Sequence, residues 1–324
     1  MKKVIVLLGP TGVGKTTVSI LLAQALNTEI ISADSMQVYR HMDIGTAKPS
    51  PEERLAVNHH MLDMVEPWET YSTGEYIKHV RPIMDTLLGK GSIPLIVGGT
   101  GLYIKAMTRG IFTGPSADWD LRNGLLLKEV AEPGSLFEDL KTLDPSAADR
   151  IMPADTRRIL RALEVCLKSS STISELRRAL TRPLPYEFIK IGLTRDRKEL
   201  YRLIEGRVDE MVERGLVDEV KKILEMVKKH VLNLKLRAPN SEINSSLSSI
   251  QAIGYKEIAM HLSGEISFDE AISLVKQRTR NYAKRQFTWF RKEEGIQWID
   301  VTGMHDPDET FQRIKEAIPT IIIR

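Results

Sequence analysis

Eight consecutive residues near the start of the chain have the types and spacing of a phosphate-binding loop. The run Gly9-Pro10-Thr11-Gly12-Val13-Gly14-Lys15-Thr16 matches the pattern G-x-x-x-x-G-K-[ST] and stands between an apolar run and a helical pattern. Its glycines let backbone N–H groups converge on phosphate oxygens, Lys15 adds a positive charge, and the Thr16 hydroxyl can bind Mg²⁺. The pattern therefore predicts a polyphosphate ligand, but it does not show whether that ligand is a nucleotide.

A single carboxylate, Asp34, follows the second predicted strand. A nucleotide hydrolase or kinase usually ends a later apolar strand in an aspartate that holds Mg²⁺. Here the strand predicted at Pro94–Val97 runs into Gly98-Gly99-Thr100-Gly101 instead. Because open α/β sheets bind ligands at the carboxyl ends of their strands, Asp34 is a candidate general base. From spacing alone, the alternative is that Asp34 caps a helix beginning at Ser35.

The elements that must position these residues alternate between short β-rich runs and helical patterns. Strands are predicted at Val4–Leu8, Glu29–Ser32 and Pro94–Val97, with helical segments between them. This order is typical of an α/β fold with a parallel sheet, and the loop at Gly9 makes it a P-loop core.

The pattern changes after residue 113 and divides the chain into three segments. Residues 114–187 hold amphipathic helical segments punctuated by prolines, which predicts a mostly helical inserted domain. We expect residues 1–113 and 188–324 to form the two parts of the P-loop core. Within the second part, the Asn- and Ser-rich stretch 235–249 predicts a mobile loop, and strands are expected at Phe188–Leu193 and Gln297–Val301.

Composition narrows the class of protein. The chain has 324 residues, enough for about two domains, and its 42% hydrophobic and 27% charged residues argue against disordered and fibrous proteins. A net charge of +3 allows an anionic partner without requiring one. The single cysteine, Cys166, can form neither an intrachain disulfide nor a cysteine-based metal site, and it favours a reducing compartment. No apolar run approaches the roughly 20 residues of a membrane span, so we expect a cytoplasmic protein without a membrane partner.

Several linear motifs beyond the loop occur in a fixed order. They are Asp34–Arg40 with Met42–Pro49, His59–Asp63, Val97–Tyr103 and Thr279–Arg291, with weaker matches at Asp155–Val165 and Ala252–Lys256. Together they resemble the signature of bacterial tRNA dimethylallyltransferases, and the resemblance extends to about Trp298.

The resemblance implies a reaction and a role for each central residue. The loop would hold the diphosphate of dimethylallyl diphosphate rather than ATP, and the five-carbon group would move to N6 of an adenine next to the anticodon of tRNA. Asp34 would take the amine proton, Thr100 would contact the reacting nucleotide, and Lys15 would stabilise the leaving diphosphate together with Mg²⁺ on Thr16. Since no phosphoryl group is transferred, the missing strand-end acid is explained.

The resemblance also implies three sets of binding residues, for the diphosphate, the adenine and the anticodon stem-loop. The diphosphate would contact Gly9, Pro10, Thr11, Gly12, Val13, Gly14, Lys15, Thr16 and Arg207. The flipped adenine would lie against Asp34, Ser35, Met36, Gln37 and Thr100. The anticodon stem-loop would contact Arg122, Arg157, Arg158, Ile159, Leu160, Arg161, Gln251, Ala252, Ile253, Gly254, Tyr255, Lys256, Lys284, Arg285, Gln286, Phe287, Thr288, Trp289, Phe290 and Arg291.

Other interpretations stay open for parts of this set. By composition alone, the basic segment around Arg285 is a solvated charged helix, and Trp289 and Tyr282 are more often buried than stacked on a base. Leu203 stands where the family pattern has an arginine. His59, His60 and Asp63 are better explained by loop packing than by zinc.

Three rival functions follow from these alternatives. They are an adenylate isopentenyltransferase acting on free AMP, ADP or ATP, a P-loop small-molecule kinase, and a non-enzymatic RNA-binding module. The basic segment argues against the first, the missing strand-end acid argues against the second, and Lys15 with Thr16 argues against the third. A monomer is the working expectation, although the sequence does not fix the oligomeric state.

Overall fold

A computed structural model describes residues 2–112, 114–169, 171–237 and 247–318, except the side chains of 234–237. The chain forms two compact units, one of residues 1–104 with 185–324 and the other of Lys105–Leu184. The inserted unit therefore begins before residue 114 and ends before residue 187. Its first boundary falls inside the continuous helix Gly101–Thr108, where no turn residue marks it in the sequence.

The first unit is built on a parallel sheet, as the sequence predicts. Six strands pair in the order β3-β2-β4-β1-β5-β6, and every described pairing is parallel. The short strand β3 is not predicted by the sequence, because two histidines carry no strand pattern. The strands are β1 Lys3–Leu8, β2 Ile30–Ser32, β3 His59–His60, β4 Leu95–Gly98, β5 Glu187–Thr194 and β6 Ile296–Asp300.

Helices cover the sheet and form the second unit. Several begin at a serine or threonine whose side chain accepts the N–H of a glutamate three residues on, a capping box that fixes the first turn. The helices are α1 Lys15–Ala25, α2 Pro51–Ala56, α3 Thr73–Gly89, α4 Gly101–Thr108, α5 Trp119–Ala131, α6 Ser135–Leu143, α7 Pro145–Ala148, α8 Thr156–Lys168, α9 Ile173–Leu180, α10 Arg197–Glu213, α11 Leu216–Arg237, α12 Tyr255–Leu262, α13 Phe268–Phe290 and α14 Pro307–Ala317.

Each unit has its own apolar core. In the first unit, the central strands β1 and β4 are buried between α1, α10, α13 and α14, with Leu7, Leu22 and Ile204 among the buried residues. A second cluster packs α11 and α12 against the turns that follow β2. In the second unit, Leu140 and Leu163 belong to a core formed by α6 and α8 with α7 and α9. The mostly helical character predicted for the insertion is observed over its described residues.

The segment predicted as a mobile loop at 235–249 differs from the expectation at both ends. Helix α11 continues to Arg237, and Ser249 is fully buried, with its hydroxyl donating to the Pro67 carbonyl at 2.5 Å. Residues 238–246 lie outside the described part of the chain. In the ranges that the structure covers, no helix has the length and apolar character needed to cross a membrane.

Candidate active site

Three neighbouring parallel strands end at the same edge of the sheet. Because β2, β4 and β1 are adjacent in the order of the sheet, their carboxyl ends bring Asp34, Thr100 and the phosphate-binding loop together, where open α/β sheets bind ligands. The loop after β4 lies against the end of β2, since the N–H of Thr100 donates to the Ala33 carbonyl at 3.1 Å. A Cβ added to Gly98 would lie 2.2 Å from that same carbonyl oxygen, so the close approach requires glycine.

The phosphate-binding loop has the backbone that its glycines predict. Gly9, Gly12 and Gly14 all have positive φ angles, and Gly14 immediately precedes the first residue of α1. The Nζ of Lys15 donates to the carbonyl oxygens of Gly9 and Pro10 at 2.9 and 2.8 Å. The lysine is therefore folded back across the loop, in reach of an anion that the loop would hold.

A second cation, Arg207 from α10, approaches the loop from the side. Its guanidinium donates to the Thr11 hydroxyl at 3.3 Å. Burial and the positive charge of Arg207 lower the pKa of Lys15 to about 7, against an opposing effect of the Asp34 carboxylate. Burial also lowers the pKa of Arg207, and Asp34 again opposes this. Two half-buried cations beside one carboxylate leave an excess of positive charge that suits a diphosphate.

Asp34 lies in a turn and does not cap a helix. Its Oδ1 accepts the N–H of Met36 at 2.8 Å, and turns rather than a helix follow β2. The helix-cap alternative is therefore wrong. Thr100 lies close by, with its hydroxyl oxygen accepting the N–H of Ser35 at 3.0 Å. The turn holds the half-exposed carboxylate at the end of the strand.

Two cavities meet at Asp34. The first, of about 300 Å³, is lined by the phosphate-binding loop and extends past Ser32 and His59. The second, of about 320 Å³, has a mostly apolar lining that includes Met36 and Tyr282. Thr11, Asp34, Thr46 and Arg207 line both cavities. This boundary is where a group leaving a diphosphate and an acceptor in the apolar cavity could meet.

Gln37 is placed differently from Ser35 and Met36. Those two residues line the apolar cavity, whereas Gln37 lines the cavity of the phosphate-binding loop. The Gln37 side chain accepts from the Ser32 hydroxyl at 2.9 Å and donates to the carbonyls of Thr46 and Ala47 at 3.3 and 3.1 Å. It fixes the wall of the site, and the structure does not place it against an adenine in the apolar cavity.

Part of the predicted RNA-contacting segment is exposed. Lys284, Arg285, Thr288 and Arg291 are exposed, and a groove of about 480 Å³ runs between Asn281, Lys284, Arg285, Thr288, Trp289 and Lys292. In contrast, Phe290 is fully buried, Gln286 is 6% exposed, and Phe287 packs against the core. The helix thus presents cations on one side, while the other side belongs to the interior.

The predicted contacts between Gln251 and Lys256 divide in a similar way. Gln251 is exposed and Lys256 is half-buried, whereas Ala252, Gly254 and Tyr255 are buried. The side chain of Tyr255 packs against Gly45 and donates a hydrogen bond to Glu219 Oε1 at 2.5 Å. Gln251, Ala252, Ile253, Gly254 and Tyr255 line the apolar cavity, so this segment forms part of the site wall.

In the second unit, two of the predicted RNA-binding arginines form ion pairs with the same carboxylate. The Nε and Nη2 of Arg122 donate to the two carboxylate oxygens of Glu164 at 2.9 and 2.8 Å, and the Nη1 of Arg161 donates to one of them at 2.5 Å. Glu164 is fully buried. Ile159 is buried and Leu160 is half-buried in the core of that unit, while Arg157 and Arg158 are exposed. Arg158 forms an exposed ion pair with Asp155 at 3.2 Å, so Arg157 and, less directly, Arg158 are the members of this group most available to an anionic partner.

Some residues important to the site are missing from the sequence-based set. The carboxylate of Glu219 accepts the N–H groups of Asp43, Ile44 and Gly45 at 2.9, 2.8 and 3.0 Å, which holds the turn that carries Thr46. Ile204 and Met211 line the apolar cavity. None of these three residues belongs to a local motif, so only the periodicity of α10 and α11 could have indicated the faces on which they lie. Leu203 does not line either cavity.

Comparison with known proteins decides the family. The model of the IPP transferase family matches residues 37–293. The chain belongs to the IPP transferase family. A second model, that of isopentenyl transferases, matches residues 2–66.

Individual relatives match this chain along most or all of their lengths. A tRNA dimethylallyltransferase of Thermodesulfovibrio yellowstonii is 54% identical over 321 residues, covering 99% of both chains. The tRNA isopentenylpyrophosphate transferase of Bacillus halodurans, whose crystal structure is known, has 39% sequence identity to this chain. The two structures match with a TM-score of 0.69 over 99% of this chain and 97% of that one. A eukaryotic dimethylallyltransferase acting on tRNA has 30% sequence identity and a TM-score of 0.81, and the match covers 100% of this chain and 80% of that one.

Proposed function

We propose that this IPP transferase is a tRNA dimethylallyltransferase. It transfers the dimethylallyl group of dimethylallyl diphosphate to N6 of an adenine next to the anticodon and releases diphosphate. The observation that carries the proposal is the meeting of a cationic phosphate cavity and an apolar cavity at one carboxylate, Asp34. The full-length match to relatives that bear this enzyme's name supports it.

The diphosphate of the donor binds in the phosphate-binding loop. Backbone N–H groups of the loop, Lys15 and Arg207 oppose the negative charge that grows on the leaving diphosphate as the C–O bond breaks. A bound Mg²⁺ fits this site, because it commonly takes one or two protein oxygens together with substrate phosphates and water. Thr16 would supply such an oxygen, and the ion would add positive charge beside the leaving group. Within the described residues, no cluster of three histidine, cysteine or acidic side chains forms a separate metal site.

The adenine occupies the apolar cavity with its N6 amine facing Asp34. Its flat base suits a lining of Met36, Tyr282 and Tyr255. The N6 nitrogen attacks the first carbon of the donor, the C–O bond to diphosphate breaks, and the N6 proton passes to Asp34. Thr100 lies beside Asp34 and contacts the reacting nucleotide.

The RNA outside the cavity is held by the cations on the exposed side of α13. Lys284 and Arg285 are positioned to neutralise phosphates near the mouth of the apolar cavity, which Arg285 also lines. The exposed arginines of the second unit, Arg157 and Arg158, contact the stem-loop independently. A free nucleotide needs no such extended cationic surface, so these groups favour RNA over AMP as the acceptor.

One acceptor assay tests the proposal. The protein and Mg²⁺ are incubated with radiolabelled dimethylallyl diphosphate and either unmodified tRNA, AMP or no acceptor, and the label is followed into each. We expect label in tRNA alone. Label in AMP would instead make the protein an adenylate isopentenyltransferase. Absence of label from both acceptors, together with phosphoryl transfer from ATP, would indicate a kinase.

A further inference from the structure

One side of α13 packs against the loop that follows β4. Tyr282, Gln286 and Trp289 recur at spacings of four and three residues, which places them on one face of the helix. A Cβ added to Gly101 would lie 2.4 Å from the Trp289 ring, and one added to Gly99 would lie 2.2 Å from the Gln286 amide nitrogen. The helix therefore approaches this loop as closely as its two glycines permit.

The side chain of Gln286 joins two loops of the active site. Its Oε1 accepts the N–H of Thr11 at 2.8 Å, and its Nε2 donates to the carbonyl of Gly99 at 2.9 Å. One loop follows β1 and binds phosphate, and the other follows β4 and leads into Thr100. Because the amide is buried and bound at both ends, it fixes the separation of these loops.

Tyr282 extends the same contact to Thr100. Thr100 and Gln286 lie close enough to its hydroxyl to oppose the rise in its pKa that burial causes. The neighbouring side of the helix carries Lys284, Arg285 and Thr288 at the surface groove, which Trp289 also lines. One helix therefore touches the proposed donor loop and the loop of the reacting nucleotide with one face, and presents cations to solvent with the other.

We propose that Gln286 is a positioning residue for prenyl transfer, which holds the phosphate-binding loop in register with the loop that carries Thr100. This inference rests on the proposed function. It also assigns Gln286 a role different from the RNA contact predicted from the sequence. The amide is suited to this role because it can accept from one backbone and donate to another, whereas a carboxylate or an aliphatic side chain cannot do both.

The test replaces the amide by an unbranched apolar side chain in Gln286→Met. The matched control is Gln297→Met, which removes an exposed glutamine in the edge strand β6, whose Nε2 donates to the Ala317 carbonyl at 2.8 Å. Steady-state KM values are measured for dimethylallyl diphosphate and for tRNA, and the Kd of inorganic diphosphate is measured by calorimetry. We expect the donor KM and the diphosphate Kd to rise about fivefold to tenfold in Gln286→Met, which corresponds to about one lost hydrogen bond. The tRNA KM should stay within about twofold, and the control should change none of them.

A second variant covers the case in which Gln286→Met does not fold. Gly99→Ala keeps the glutamine but puts a methyl group where its amide lies, and it should raise the same two constants. Unchanged donor KM and diphosphate Kd in a folded variant would overturn the proposal. A rise in the tRNA KM alone would also overturn it and would return Gln286 to an RNA contact. Wild-type protein that transfers no label to tRNA would refute the proposed function instead, while its diphosphate Kd would still test the role of Gln286.

Discussion

Lys15 provides a direct test of the electrostatics at the phosphate-binding loop. Burial and Arg207 lower its pKa to about 7, so at pH 8 roughly one molecule in ten carries the charged form. A diphosphate binds the charged form better, and therefore it raises the pKa of Lys15. Binding at pH 8 should then take up nearly one proton for each site, an upper limit of about 0.9.

The affinity for the donor should fall as the pH rises above the pKa of Lys15. Below about pH 7 the lysine is already protonated and affinity for the donor should be independent of this group. As the pH rises above 7, protonation must accompany binding, so the affinity should fall towards about tenfold per pH unit until the pKa of the complex is reached. Isothermal titration calorimetry in buffers of different ionisation enthalpy measures the proton uptake directly.

Lys15→Arg is the matched control for this measurement. Arginine keeps the positive charge but does not release its proton in this range, so proton uptake that belongs to Lys15 should be absent from the variant. Protons exchanged by the diphosphate itself occur in both proteins and cancel in the difference. Equal uptake by wild type and Lys15→Arg between about pH 7 and pH 9 would refute the assignment.

Three further outcomes test the site and its supports. Asp34→Asn should lower the single-turnover rate of prenyl transfer by about 10²- to 10⁴-fold, because it removes the base. Diphosphate binding should not weaken, because the change also removes a negative charge beside Lys15. A preserved rate would contradict the role of Asp34 as base. Gly45→Ala should lower the free energy of unfolding by about 2 kcal/mol, because the added Cβ would lie 2.6 Å from the Tyr255 ring. The matched control Gly206→Ala, inside α10 with nothing within 4 Å of its Cβ, should raise that free energy by about 0.5–1 kcal/mol; urea unfolding compares the two. Glu164→Gln should lower the free energy of unfolding by about 3 kcal/mol at pH 7 in the same assay, because it breaks a buried ion pair. The wild-type protein should lose the stabilisation from this ion pair only as the pH falls below the ordinary pKa range of glutamate.

The surroundings of Glu164 determine how its contribution to stability changes with pH. Burial raises the pKa of this carboxyl, but hydrogen bonds from Arg122, the N–H of Asp118 and Arg161 outweigh burial and hold the pKa below its usual value. A carboxyl with a lowered folded pKa stabilises the protein above its unfolded pKa. A wild-type protein that shows no loss of stability on acidification, relative to Glu164→Gln, would contradict this account.

The sequence alone determined the parts of the site that depend on short-range geometry. The spacing of Gly9 to Thr16 between a strand and a helix specifies a phosphate-binding loop, because the required φ angles and charges are all local. The alternation of strands and helices predicted a parallel sheet, and parallel strands must bring Asp34 and Thr100 to the same edge as that loop.

Only the tertiary structure decided how polar side chains outside these motifs are used. In the sequence, Gln286 and Lys284 are both polar residues of one basic helix, yet Gln286 is buried by partners 275 and 187 residues away, and Lys284 faces solvent. Arg122 and Arg161 are cations that an RNA could bind, but a buried carboxylate already holds both. Helical periodicity indicates which residues share a face. It does not show whether a polar face meets water or the backbone of a distant loop, because that depends on partners which only the folded chain brings together.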